Sequence, residues 1–189
     1  MDGKLSAVIC IEDPVRVGVD KIISDLRSRG FERIVMMTGD SEKTAAHVAD
    51  MIGLDEYISE VLPEDKAEFV AAARRDGHRV VMIGDGVNDS PALSEADTGI
   101  AVNSGAAIAR EIADVTIEAE ELSELLVLKD ISDALMERID RDYRVIISFN
   151  SALIALGAFG IIAPATSALL HNLSTIGISV YNMTDLIGE

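Results

Sequence analysis

The chain of 189 residues carries 33 acidic against 16 basic side chains, a formal net charge of −17, and 49% of its residues are apolar. That balance excludes a nucleic-acid partner, which needs a basic face, while the apolar share is ample for one ordinary domain with an appendage. Cys10 is the only cysteine, so no intrachain disulfide forms, which fits a reducing cytosol; residues 1–12 show neither the basic segment nor the cleavage site of a secretory signal.

Residues 5–11 form an apolar run that predicts a first strand, with Cys10 as a small core residue. Asp13-Pro14 ends it, because proline restricts its predecessor and cannot continue a ladder. Residues 16–29 place Val19, Ile22, Ile23 and Leu26 at helical spacing ahead of a stop at Gly30. Residues 34–37 read as a buried strand, and Thr38-Gly39-Asp40-Ser41 turns from it into a helix over 42–51. A short strand at 57–61 and a helix over 64–75, stopped by Gly77, come next. His47 and His78 fall on a helix surface and after a turn, where solvation explains them.

The β-branched run 80–83 reads as a buried strand ending in Gly84-Asp85-Gly86-Val87-Asn88-Asp89-Ser90-Pro91. Two carboxylates, Asp85 and Asp89, flank Asn88, and Pro91 suits the start of a short helix over 90–96. Carboxylates at a strand's carboxyl end suit Mg²⁺, a hard cation that keeps several waters. The competing reading is an Asp-Gly turn with an Asn/Asp helix cap. Strands over 98–102 and 114–117, with a helix near 106–112 between them, complete an alternation of short apolar strands and helices. This predicts an α/β fold, a parallel sheet covered on both faces, with ligands at the carboxyl ends of its strands. Thr38, Asp40, Asp85 and Asp89 all fall there, and Lys66 reaches in from the start of a helix.

From residue 122 a long helix is predicted through Arg144. Residues 145–163 and 165–184 are then two uncharged runs separated by Pro164, each of a length that spans a bilayer. They predict a transmembrane helical hairpin; a buried helical pair in a soluble core is the alternative. Arg138, Arg141 and Arg144 favour a cytoplasmic start. The second run is unusually polar, with His171, Ser174 and Thr175 on one face and Asn172 beside them, and Asn150 stands in the first. Such groups either hydrogen-bond between helices or line an ion path. Imidazole and oxygen ligands suit Zn²⁺, Co²⁺, Fe²⁺ or Mn²⁺ better than Cu⁺.

Four motifs in order carry a family resemblance. Asp13-Pro14-Val15-Arg16, Thr38-Gly39-Asp40, Lys66 within Leu62-Pro63-Glu64-Asp65-Lys66, and the Gly84–Leu93 stretch resemble the hinge, TGD, lysine and Mg²⁺-loop signatures of P-type ATPases. The short ending after that loop, and His171-Asn172-Leu173-Ser174-Thr175, resemble the heavy-metal-transporting branch. The resemblance implies a haloacid-dehalogenase-like phosphorylation domain over 1–121, a stalk helix over 122–144, two membrane helices over 145–184 and a tail over 185–189. It implies a multi-pass membrane protein whose phosphorylation domain is cytoplasmic, with ATP and Mg²⁺ as cofactors.

By residue, it implies Mg²⁺ held by Asp85 with support from Asp89. Phosphoryl oxygens would be bound by Thr38 and Gly39 and oriented by Asn88, with Lys66 neutralising charge. Asp13, Arg16 and Asp40 would work at a hinge to a nucleotide domain. Asn150, His171, Asn172, Ser174 and Thr175 would meet a transported transition metal. The family's DKTGT nucleophile is absent from residues 1–189, and Asp185–Glu189 stand where a basic tail is usual. The resemblance therefore implies the C-terminal fragment of a pump, inactive without its N-terminal part. A haloacid-dehalogenase phosphatase would need an Asp-x-Asp near the start, and residues 1–30 contain none. A non-catalytic membrane regulator keeping the fold is the third reading.

Overall fold

The computed structural model describes residues 15–85, 88–102, 111–117 and 122–184. The expected strand at 5–11, Asp13, most of the helix near 106–112 and the tail 185–189 lie outside them. The described elements run α1 (Val19–Ser28), β1 (Val35–Met37), α2 (Glu42–Ile52), β2 (Glu56–Ile58), α3 (Pro63–Arg75), β3 (Val81–Gly84), α4 (Ser90–Glu95), β4 (Thr98–Val102), β5 (Val115–Ile117), α5 (Glu124–Ala158) and α6 (Pro164–Tyr181). The chain divides into two compact units, Met1–Leu126 and Val127–Glu189.

In the first unit every strand pairing is parallel, as the alternation predicts. Among the described residues the ladders form two groups, β1-β2 and β3-β4-β5. The apolar face of α3 closes the core. Val70, Met82, Ala92 and Leu93 form its centre, with Met37, Ala67, Val80, Ala96 and Ile112 packed around them. α3 starts at Pro63, where a missing N–H costs nothing, and Asp65 accepts from the Leu62 N–H at 3.1 Å to cap the first turn. It stops at Gly77, whose φ of 91° suits glycine.

One device recurs at the strand entrances. The aspartate just before each partner strand accepts an N–H from the strand beside it. Asp55 takes Ile34 N–H at 3.0 Å, Asp97 takes Val80 N–H at 2.9 Å, and Asp114 takes Gly99 N–H at 2.8 Å. These bonds pin the register of β1-β2, β3-β4 and β4-β5 in turn. Asp97 is held below the usual carboxylate range by the Val80 N–H, with Arg74 and Arg79 adding to the effect. Asp55 is lowered by Ile34 N–H and by Arg27. Depressed carboxylates contribute stability that is fully present above their unfolded pKa, about 4, and is lost as pH falls through their folded values. The stability of the first unit is therefore expected to drop below pH ~4. Asp55→Asn with Asp97→Asn, which keep an acceptor but cannot titrate, should flatten that acid limb in urea unfolding followed across pH.

In the second unit α5 and α6 form a helical hairpin. α5 runs through Arg144 without a break, as the long helix expected from residue 122 does. A change from charged to uncharged side chains leaves backbone hydrogen bonds intact, and no glycine or proline intervenes there. The helix ends at Ala158, where Ile161 N–H reaches back to Leu156 O at 2.9 Å and Gly160 takes φ 69°. Among the described residues no helix is long and apolar enough to cross a membrane. Only residues 145–158 of α5 follow Arg144, and His171, Asn172, Ser174 and Thr175 dilute α6. The two spans expected over 145–184 are thus present as helices, without the hydropathy of a span.

Large apolar side chains cover much of the hairpin's surface. Leu153 is buried, and Asn150, Ser167, Ser174 and Ile178 are half-buried. Phe149, Ile154, Leu169, Leu173, Ile176 and Val180 are exposed, Ile154 by 72%. The half-buried Ser167, Ser174 and Ile178 of α6, with the exposed His171 between them, repeat at i, i+4, i+7, i+11 and lie along one stripe.

Candidate functional site

Two loops leave the carboxyl ends of β1 and β3. The first is Thr38–Ser41. Thr38 Oγ1 donates to Asp40 Oδ2 at 2.9 Å and accepts from Asp40 N–H at 3.1 Å, which closes a tight turn. The chain after β2 brackets it: Thr38 N–H meets Ile58 O at 2.9 Å, Val61 N–H meets Thr38 O at 3.1 Å, and Glu60 N–H meets Asp40 O at 3.0 Å. Glu42, at the start of α2, accepts from Tyr57 at 2.7 Å and from Ser59 at 2.5 Å. The Ser59 bond, then the Tyr57 bond, lowers its pKa, so it stays a carboxylate and ties this loop to β2. A Cβ on Gly39 would stand 3.8 Å from Val61 O, an ordinary contact. The fold therefore does not require glycine there, and the position leaves its backbone open to approach.

The second loop begins at Asp85, exposed, directly after β3. Asn88 lies in the bend that follows and is exposed. Asp89 caps α4, and its carbonyl accepts from Leu93 N–H at 2.8 Å. Its carboxylate turns back toward the strand. Oδ1 accepts from Lys66 Nζ at 2.7 Å, with side-chain exposures of only 15% for Lys66 and 13% for Asp89, and Oδ2 lies 3.4 Å from Asp85 N. Lys66 comes from the first turn of α3, so its reach from a helix start is as expected.

The structure thus brings Lys66, Asp85 and Asp89 together at the end of β3, and Thr38 with Asp40 at the end of β1. Asp13 lies outside the described residues, and Arg16 is exposed ahead of α1. Sequence reasoning missed Gly84. A Cβ there would stand 2.6 Å from Asp89 Cβ, inside any real contact distance. Only glycine lets Asp89 fold back against the strand end, and its place between an apolar run and two aspartates was the available signal. Gly84→Ala is expected to displace Asp89 from Lys66 and to destabilise the first unit by about 1–3 kcal/mol, read as a lower urea midpoint.

The donor set fits Mg²⁺. That ion is commonly bound through one or two carboxylates, with waters and phosphate oxygens completing its octahedron. Asp85 offers an exposed carboxylate one loop away from Asp89, whose Oδ2 lies 3.4 Å from the Asp85 backbone N. Among the described residues no group of three or more His, Cys, Asp or Glu is gathered for a metal.

In the second unit His171 Nδ1 and Asn150 Oδ1 are 2.8 Å apart, joining the two helices. Ser174 Oγ and Thr175 Oγ1 both donate to His171 O, at 2.7 and 3.1 Å, within their own helix. Asn172 is exposed. His171 and Asn150 meet across the two helices, while the two hydroxyls are occupied by the helix backbone.

A parallel α/β domain with carboxylates and a lysine gathered at strand carboxyl ends is the architecture of haloacid dehalogenase-like hydrolases. The sequence pattern of that family matches residues 1–97, and the chain belongs to it. Among curated proteins the chain is similar to the manganese-exporting P-type ATPase of Mycobacterium bovis, 40% identical over 188 residues, which are 99% of this chain and 26% of that protein. The zinc-exporting P-type ATPase of Mycobacterium marinum matches to the same extent. Copper-transporting ATPase 2 of Rhizobium meliloti is 38% identical over 170 residues, 90% of this chain and 20% of that protein. Among solved structures, a zinc-transporting PIB-type ATPase in the E2·Pi state superposes with a TM-score of 0.80 at 27% identity, over 89% of this chain and 28% of that one. The chain spans about a quarter of the length of the first curated relatives it matches.

Proposed function

We propose that the chain is the part of an ATP-driven transition-metal pump that joins half of its phosphorylation site to a pair of membrane helices. One observation carries the reading: a single chain holds the Lys66–Asp89 pair at a strand end and, in its other unit, a hairpin whose surface is rich in large apolar side chains and whose His171 and Asn150 meet across the two helices. Apolar side chains on the outside of a helix pair joined by polar contacts are the arrangement of helices in a bilayer. Low mean hydropathy is then the mark of helices that line a path and pack among others.

In the phosphorylation half, Asp85 and Asp89 would hold Mg²⁺, which when bound neutralises charge on phosphoryl oxygens. Lys66 adds a fixed positive charge beside them. Thr38 and the Gly39 backbone N–H offer donors to the transferring group, and Asn88 orients it. Positioning and charge compensation are most of what phosphoryl transfer asks of a protein. Asp13, Arg16 and Asp40 serve a hinge toward a nucleotide domain that binds ATP. The transported ion meets His171 and Asn150, with Asn172, Ser174 and Thr175 beside them. A divalent ion of the manganese, zinc, cobalt or iron class suits that donor set better than Cu⁺. The relatives named for manganese and zinc export support the same choice.

A direct test uses the chain by itself. Residues 1–189 contain no Asp-Lys-Thr nucleophile, so purified chain with ATP or p-nitrophenyl phosphate and Mg²⁺ is expected to release no phosphate above background. Steady release abolished by Asp85→Ala would instead establish a self-sufficient phosphatase.

A further inference from the structure

The open end of the hairpin is closed by a cluster that the transport reading does not use. Tyr181 is the last residue of α6. The Arg141 guanidinium lies over its ring at 4.9 Å from the centroid, and that of Arg138 at 6.0 Å. Arg138 also donates to Thr184 O at 2.7 Å, just past the helix end. There its charge lies on the side of the helix's negative pole. Two arginines one turn apart on α5 thus hold the last ring of α6 and the Thr184 carbonyl beyond it.

These contacts share one register with the His171–Asn150 pair. In an antiparallel pair of helices with equal rise, facing residue numbers sum to a constant. Arg141 with Tyr181, Arg138 with Thr184 and Asn150 with His171 agree to within one residue. Tyr181 also continues the stripe of α6, three residues beyond the half-buried Ile178. At the closed end the short turn is held by its own backbone, with Ile161 N–H on Leu156 O at 2.9 Å and Gly160 at φ 69°, while Phe159 and Ile161 are exposed. At the open end, a shift of one helix past the other would separate His171 from Asn150.

We infer that Tyr181, held over its ring by Arg138 and Arg141, is the register lock of the hairpin, a positioning residue that keeps His171 opposite Asn150. That this pair then binds a metal ion rests on the function proposed above; the register itself does not.

The test uses the full 189-residue chain in detergent micelles with Cys10→Ser. Asn150→Cys is paired with His171→Cys, or with Ser167→Cys or Ser174→Cys about one turn to either side. Disulfide formation reports which pair faces which. Cross-linking is expected at 150–171. Tyr181→Leu, which keeps bulk but removes the aromatic face, should slow it by about five-fold, with a matching rise at 167 or 174. Arg141→Gln should act in the same direction. Tyr181→Phe, which keeps the ring, should cross-link as the unaltered chain does. Equal rates in Tyr181→Leu and the unaltered chain would overturn the proposal. So would equal losses in Tyr181→Leu and Tyr181→Phe at unchanged helicity, because the ring would then not be what holds the register. Zn²⁺ binding, measured by calorimetry on chains retaining Asn150 and His171, separates the two ideas. If the lock serves a metal site, Tyr181→Leu weakens Zn²⁺ binding and Tyr181→Phe does not. If His171→Ala binds Zn²⁺ unchanged, the transport reading fails while the cross-linking result stands.

Discussion

Replacing His171 with alanine, in a pump carrying this chain, is expected to weaken metal-stimulated phosphorylation by ATP by about 10–100-fold in apparent metal affinity. His171 supplies the one imidazole of the second unit, and its Nδ1 already engages Asn150. The contact fixes which ring nitrogen remains for a metal. Phosphorylation in the reverse direction, by inorganic phosphate, should be largely kept, because Lys66, Asp85 and Asp89 belong to the other compact unit. Mn²⁺ or Zn²⁺ should stimulate more than Cu⁺ or Ag⁺. The measurement is steady-state phosphoenzyme against metal concentration for both forms. Unchanged metal dependence in His171→Ala would reduce the residue to helix packing. Stimulation by Cu⁺ alone would remove the divalent assignment.

Lys66→Ala should act on the other half of the reaction. It removes the fixed positive charge beside the two carboxylates, and such a loss lowers the rate of phosphoryl transfer by about 100–1000-fold. It also leaves the Asp89 carboxylate, 13% exposed, without its ammonium partner, and breaking a buried pair is strongly destabilising. Two measurements separate these effects. Lys66→Arg should recover most of the urea midpoint while recovering little of the rate, because a planar guanidinium does not reproduce a compact ammonium. Metal affinity should stay near its normal value in both variants, the reverse of the His171→Ala pattern.

The strands and helices of the first unit were legible in the sequence because local signals agreed there. Short apolar runs ended in Gly84 and at Thr38-Gly39, helices stopped at Gly30 and Gly77, and β4 fell where its apolar run predicts. The Lys66–Asp89 contact was legible only through the family resemblance, since 23 residues separate the two. The role of Gly84 was not legible, because it depends on the direction in which Asp89 folds back. Nor were Asp55, Asp97 and Asp114 as entrance pins: an aspartate before a strand reads as a turn residue until the neighbouring strand is placed. The hairpin was legible as two helices, with His171, Ser174 and Thr175 on one face of the second. The contact of His171 with Asn150 emerged only when α5 and α6 were placed side by side.

The central claim is that this chain supplies the Mg²⁺ and phosphate half of a metal pump together with part of its ion path. It is tested most directly by grafting. The chain replaces its matching segment in the manganese-exporting P-type ATPase of Mycobacterium bovis, with which it shares 40% identity over 188 residues. The chimera is then incubated in membranes with radiolabelled ATP, Mg²⁺ and Mn²⁺ or Zn²⁺. The account predicts a metal-dependent, hydroxylamine-labile label on the chimera, lost in Asp85→Asn and shifted to higher metal concentration in His171→Ala. A stably expressed chimera that takes no label, or one whose label survives Asp85→Asn, would contradict it.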